Sequence, residues 1–173
     1  MVAFTDALNA CETRPSRTLR LLVNSENSFK VSMARQIAAA FTAAGAATET
    51  VELPWAEYTA ALAAGRFDLY YGEVRLTADW DVSSLLATGG SLNYGGWSDP
   101  QCDQLLEGCR SGGNREAAFR GLCRYLQSQA PILPICFKTV STLYESDVLE
   151  GLTPTAAEPF YGLENISIHL RAN

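Results

Sequence analysis

The residues best equipped for chemistry gather in one short segment: Glu73, Arg75, Asp79, Trp80 and Asp81. Neighbouring carboxylates suggest an acid/base pair of the kind that cleaves glycosidic bonds, one donating a proton while the other attacks or activates water. No second catalytic feature accompanies them, so no catalytic residue is assigned. Nucleophilic catalysis needs a base beside the nucleophile, and the single histidine, His169, lies close to the C-terminus. That also argues against a multi-histidine metal site. Arg75 could hold a ligand carboxylate through two parallel bonds, or pair with Glu73 or Asp79. Asp81 stands immediately before a helical segment and suits a helix cap. Trp80, Tyr94 and Trp97 are candidate walls of a cleft, because aromatic surfaces line most ligand pockets; packing in a core is their other reading.

Five cysteines, Cys11, Cys102, Cys109, Cys123 and Cys136, form no close pair; the later spacings are 7, 14 and 13. Zinc sites want close ligand pairs, so buried thiols are expected and no metal or cofactor is assigned. The glycine-rich stretch 89–96 lacks the Gly-Lys-Ser/Thr of a phosphate loop and reads as a turn. Arg110, Arg115, Arg120 and Arg124 interleave with Glu107 and Glu116, the pattern of a solvated helix face.

The chain has 173 residues, 47% hydrophobic and 18% charged, with net charge −6. That is one ordinary globular domain, able to hide roughly 70% of its unfolded surface. Two lysines and an acidic balance argue against a nucleic-acid partner. The most apolar stretch, 37–47, is much shorter than the ~20 residues of a membrane helix. The first residues have no basic region followed by an apolar one. This pattern fits a cytoplasmic protein or a piece of a longer secreted one.

These side chains need elements to position them. Leu19–Val23 reads as a buried strand ending at Asn24-Ser25. Ser28 can cap a helix carrying Val31, Ala34, Ile37, Ala38 and Phe41 at helical spacing, closed by Gly45. Thr48–Leu53 alternates as a strand; Pro54 suits the next helix's first turn, with Trp55, Tyr58 and Leu62 inward and Gly65 at its end. Asp68–Val74 is a third strand. Linkers this short around helices force parallel strands. Ligands of open parallel sheets gather beyond the strands' carboxyl ends, here Asn24-Ser25, Pro54-Trp55 and the loop 75–81. Later come a short helix at 82–87, a helix from Pro100 with Cys102, Leu105, Leu106 and Cys109 on one face, and a helix from Arg115 to Ser128 with Phe119, Leu122, Cys123 and Leu126 inward. Pro131–Phe137 reads as a proline-tolerant edge strand pairing with 139–146, and 165–170 as one more strand.

Five stretches in this order resemble family 5 extracellular solute-binding proteins, the receptors of oligopeptide ABC importers. They are LRLLVNSENSFKVSMARQIAAAF, VELPWAEYTAALAAGRFDLYYGEV, NYGGWSDPQCDQLLEGCR, YLQSQAPILPICFKTVSTLY and DVLEGLTPTAAEPFYGLENI. The likeness runs over roughly residues 18–168 and implies a C-terminal lobe with a periplasmic-binding-protein type II-like α/β fold: a mostly parallel sheet flanked by helices, with an added antiparallel element. It implies 1–17 as a linker, 18–150 as the lobe and 151–173 as a tail returning toward a large N-terminal lobe absent here.

The resemblance also implies what the site does. Asp79, in Ala-Asp-Trp, sits where peptide-binding members place an aspartate against the ligand's α-ammonium. A desolvated amine needs such a carboxylate. Trp80, Arg75, Asn24 and Ser25 are the other candidate contacts. The implied protein is not an enzyme. It captures a peptide-like solute outside the cell, is attached to the membrane by a segment absent here, and delivers the solute to ABC permease subunits. The family also includes receptors for nickel, haem and sugars; Asp79 tilts the choice toward an amine. Two other classes stand beside this reading, a ligand-sensing domain of a regulator and a small α/β enzyme.

Overall fold

In a computed structural model of the chain, β1 (Leu19–Asn24) lies at the centre of a three-stranded parallel sheet, between β2 (Thr48–Leu53) and β3 (Leu69–Tyr71), in the order β2-β1-β3. The structure describes residues 16–77, 79–111, 113–138, 142–145, 147–155 and 158–169. Cys11 and the expected linker lie largely outside them. The central strand is the most apolar, and Leu21, Leu22 and Val23 are buried on both faces as parallel sheets require. Leu21 and Val23 pack with Val31, Ala34 and Ala38 of α1 (Ser28–Ala43). Leu22 faces the other way, onto Tyr58, Ala61 and Leu62 of α2 (Trp55–Ala63). Alternation along the strand thus assigns one helix to each face.

Local chemistry sets the ends. Asn27, not Ser28, caps α1: its side chain accepts the Lys30 amide at 3.0 Å, leaving Ser28 as the first helical residue. Gly45 follows α1 at φ +100°, a conformation glycine adopts without strain. Trp55 is not inward as expected. It is 55% exposed, because as the first residue of α2 it stacks on Tyr58, with ring centroids 5.9 Å apart, instead of entering the core. At the opposite end of the sheet, Arg17 pairs with Asp68, whose carboxylate also accepts the Arg20 amide at 2.9 Å. The Arg17 guanidinium is the main reason the Asp68 carboxyl sits below its ordinary range.

The chain divides into two compact units. The first holds everything to Arg75 together with Ser84–Asp99; the second holds Leu76–Ser83 and the chain from Pro100 onward. The first includes most of α3 (Ser83–Leu86) and the glycine-rich turn, where the Asn93 side chain accepts the Trp97 amide at 2.9 Å and donates to the Ala87 and Trp97 carbonyls. Tyr94 packs edge-on against Tyr70.

The second unit is built on α4 (Pro100–Ser111) and α5 (Arg115–Gln129), joined by so short a connection that they run as antiparallel neighbours. Glycines allow a close approach: Gly108 faces Ala118, and Gly121 faces Leu105. Cys102, Leu106 and Leu122 are buried. The stripe is narrower than its sequence suggests. Phe119 and Cys123 are exposed, because one neighbouring helix covers only one face of α5. Cys136 is exposed as well, so among the described cysteines only Cys102 meets the expectation of a fully buried thiol.

The expected strand at 131–137 is absent among the described residues. Pro131 and Pro134 contribute no amide donor to a ladder, and Leu133, Ile135 and Phe137 are exposed. Much of the expected partner, 139–146, lies outside the described residues. The antiparallel element is instead β4 (Leu149–Glu150) with β5 (Ser167–Ile168), extended by His169 donating its amide to Val148. Among the described residues the tail therefore pairs with the segment just before it.

Candidate functional site

At the carboxyl ends of the strands, the first unit has used much of its polar chemistry on itself. The Asn24 side chain accepts the Glu26 amide at 3.1 Å, and the Ser25 amide donates to the Leu53 carbonyl at 2.8 Å. Glu26 reaches across to accept the Trp55 amide at 2.9 Å, satisfying one open donor of α2. Sequence reasoning missed that role, since nothing local links residues 26 and 55. The Ser25 hydroxyl borders a shallow polar groove with Ser28 and Ser32, where Arg35 donates two bonds to Glu52 at 2.7 and 2.9 Å. Glu73, weighed as a partner for Arg75, forms an ion pair with Lys30 at 2.7 Å. Arg75 itself is exposed.

In the second unit, Asp79, Trp80 and Asp81 stand together. The Trp80 amide donates to the Thr77 carbonyl at 3.0 Å, closing a tight turn. Trp80 holds φ at +58°, which is costly for a bulky residue, yet its side chain stays 51% exposed. Its ring meets Phe137 edge-on at 5.4 Å. The strained backbone thus holds an indole on the surface.

The two carboxylates differ. Asp81 accepts the Ser83 amide at 2.8 Å, which anchors the start of α3, and its proximity to Ser83 lowers its pKa. This is the helix-starting role expected of it. Asp79 starts no helix. The Thr77 hydroxyl chiefly holds its carboxyl below the ordinary range, against an opposing effect of burial; backbone amides of Asp79 and Asp81 and the charge of Arg115 act the same way as Thr77. Asp79 is therefore an exposed, ionised carboxylate in a fixed turn.

The turn borders a groove of about 380 Å³ inside the second unit. Its far wall comes from α4 and α5: Leu106, Cys109, Arg110, Arg115, Phe119 and Leu122. The Arg115 Nε donates to the Cys109 carbonyl at 3.1 Å, which ties the end of α4 to the start of α5. The spacing of Phe119 predicts a core residue, yet it lines this groove. Of the five expected contacts, Asp79 and Trp80 are brought together, whereas Asn24, Ser25 and Arg75 belong to the first unit. Among the described residues no cluster of three or more His, Cys, Asp or Glu could hold a metal, and no helix is long and apolar enough to cross a membrane.

No family model matches the sequence, and no curated protein matches it. Solved structures do. The murein tripeptide binding protein MppA of Escherichia coli superposes with a TM-score of 0.63 at 21% identity, over 75% of this chain and 27% of its own. The oligopeptide-binding protein AppA of Bacillus subtilis, in complex with a nonapeptide, gives 0.63 at 14% identity, over 88% and 32%. NikZ of Campylobacter jejuni, in complex with Ni(L-His), gives 0.57 at 17% identity, over 66% and 25%. All three are binding proteins of solute-binding family 5. The chain spans about a quarter to a third of their length, and it has the fold of a lobe of the family 5 solute-binding proteins, an α/β architecture of periplasmic-binding-protein type II.

Proposed function

We propose that this chain is the C-terminal lobe of a receptor that captures a peptide-like solute through its free amine and delivers it to an ABC permease. The observation that carries the reading is the Thr77–Asp81 turn: an ionised, accessible Asp79 beside an indole kept on the surface at the expense of backbone strain. An ammonium drawn out of water needs a charge-assisted partner, and Asp79 supplies one already fixed in place. Residues 18–150 form the lobe, 151–173 lead back toward a second lobe, and 1–17 link to it. Closure of the two lobes would exclude water, and contacts made only when closed would drive the hinge. The receptor works in the periplasm or outside the cell, attached to the membrane through a segment beyond this chain, and performs no chemistry on its cargo. Side-chain selectivity is loose.

The test is calorimetric titration of the whole native protein with a tripeptide, free or N-acetylated. Acetylation should lower affinity about 10- to 100-fold, the range for leaving a desolvated charge without its partner. Asp79→Asn should abolish most of that difference. Equal affinity for both peptides, or an unaltered preference in Asp79→Asn, would overturn the reading. The 173-residue chain alone offers one wall of the cleft, so it should bind no tighter than millimolar; a micromolar titration would refute the two-lobe mechanism.

A further inference from the structure

We infer that Phe137 is a positioning residue for the proposed amine site: its ring holds the Trp80 indole and so fixes the direction of the Asp79 carboxylate. The inference rests on the amine-binding role proposed for Asp79 and adds to it a residue that acts through Trp80. Trp80 keeps φ at +58°, a conformation that is costly for a bulky side chain and persists only where its surroundings over-determine it. Within the turn, the Trp80 amide donates to the Thr77 carbonyl at 3.0 Å. Asp81 fixes the exit by accepting the Ser83 amide at 2.8 Å. Those bonds fix backbone, not the indole. The ring is met by Phe137, with centroids 5.4 Å apart and planes at 66°. In that edge-on geometry the positive edge of one aromatic ring faces the negative face of the other.

Phe137 is 72% exposed, so burial in a core does not explain an aromatic residue at this position, whereas contact with Trp80 does. It stands near the end of a stretch, 131–138, that forms neither helix nor strand. Pro131 and Pro134 each lock one φ, so this arm has fewer conformations to lose when it reaches the turn. The link from Trp80 to Asp79 is covalent. Residues 79 and 80 share one peptide bond. A Trp80 released from Phe137 relaxes toward negative φ, which swings that peptide plane and the carboxylate next to it.

The test has two readouts, both on the whole native protein. The first is near-UV circular dichroism without ligand. The signal lost in Trp80→Phe reports that indole, and Phe137→Ala should remove most of the same signal while the melting temperature barely moves, as for other exposed substitutions. The second is calorimetric titration with the free and the N-acetylated tripeptide. Phe137→Ala should shrink the preference for the free amine roughly two- to tenfold, the scale of one aromatic pair, and Phe137→Tyr should restore it. In Trp80→Gly the turn holds a positive φ without help from a ring, so adding Phe137→Ala should have no further effect. Suppose Asp79→Asn removes the preference as proposed. Then a preference or a Trp80 signal that Phe137→Ala leaves unchanged, or an equal loss in the Trp80→Gly background, overturns this inference alone. An intact preference in Asp79→Asn would instead sink the amine reading, and with it the role of Phe137 in that site.

Discussion

The two units solve the same problem differently. In the first, a central strand is covered on both faces by helices drawn from the same short stretch of chain, and Leu21, Leu22 and Val23 vanish from the surface. In the second, a pair of helices buries a single stripe, while Leu133, Ile135, Phe137, Leu143, Phe160 and Leu163 remain exposed. A βαβ repeat brings its own cover; a helix pair followed by proline-rich chain does not. The difference teaches where binding chemistry has room. Polar groups at the strand ends of the first unit are spent on holding the fold together, whereas the Asp79–Trp80 turn of the second leaves a carboxylate and an indole accessible.

Truncating one buried leucine in each unit breaks or sharpens this contrast most. Leu22→Ala, at the closed centre of the sheet, should cost toward the upper end of the roughly 2–5 kcal/mol range for such cavities. Leu122→Ala should fall at the lower end, because Leu122 borders an open groove that water can enter. Urea unfolding followed by hydrogen exchange would resolve the two units; equal costs would remove the distinction. Next comes alkaline pH. Burial, with Tyr70 and Tyr94 adding, pushes the Tyr58 phenol up to about 12, and its hydroxyl donates to the Tyr71 carbonyl at 3.0 Å. A raised folded pKa stabilises while the group is protonated. That contribution is complete below the unfolded value of 10.0 and is lost as pH rises through about 12. Hydrogen exchange in the first unit should accelerate across that window, and Tyr58→Phe should flatten the response.

Smaller effects follow at the surface. Asn27→Ala removes the cap of α1 and should destabilise the first unit by about 0.5–2 kcal/mol in thermal unfolding. Asn114→Ala, removing the equivalent bond to the Ala117 amide on α5, should act by a similar amount but in the second unit. Smallest is Arg35→Ala. Its pair with Glu52 is solvent-exposed, and such pairs contribute little, so the melting temperature should barely move in physiological salt.

The parallel sheet was legible because its signals are local and repetitive. Apolar periodicity, Pro54 and Gly45 place β1, β2 and the intervening helix within a residue or two of where they stand. Asn27 outcompeted Ser28 for the cap by one residue, a choice made by geometry at the first turn. Trp55 and Phe119 fell on apolar spacings yet stayed exposed. Spacing says which residues share a face, and only packing says whether anything covers that face. The strand expected at 131–137 failed for the same reason: extended, apolar chain becomes a strand only when a partner lies alongside.

The site divides along the same line. Sequence alone determined that a carboxylate and an indole adjoin at 79 and 80, that the single histidine is far from them along the chain, and that three strands precede them, the third of which it ran on to Val74 where the structure stops at Tyr71. Tertiary structure decided that Thr77 and backbone amides keep Asp79 ionised, that Asp81 is committed to a helix start, and that Glu26 serves α2 from 29 residues away. It also decided that Phe119 lines a groove. Covalent order and local preference are written along the chain, whereas burial, proton affinity and the company a side chain keeps arise only when distant segments meet.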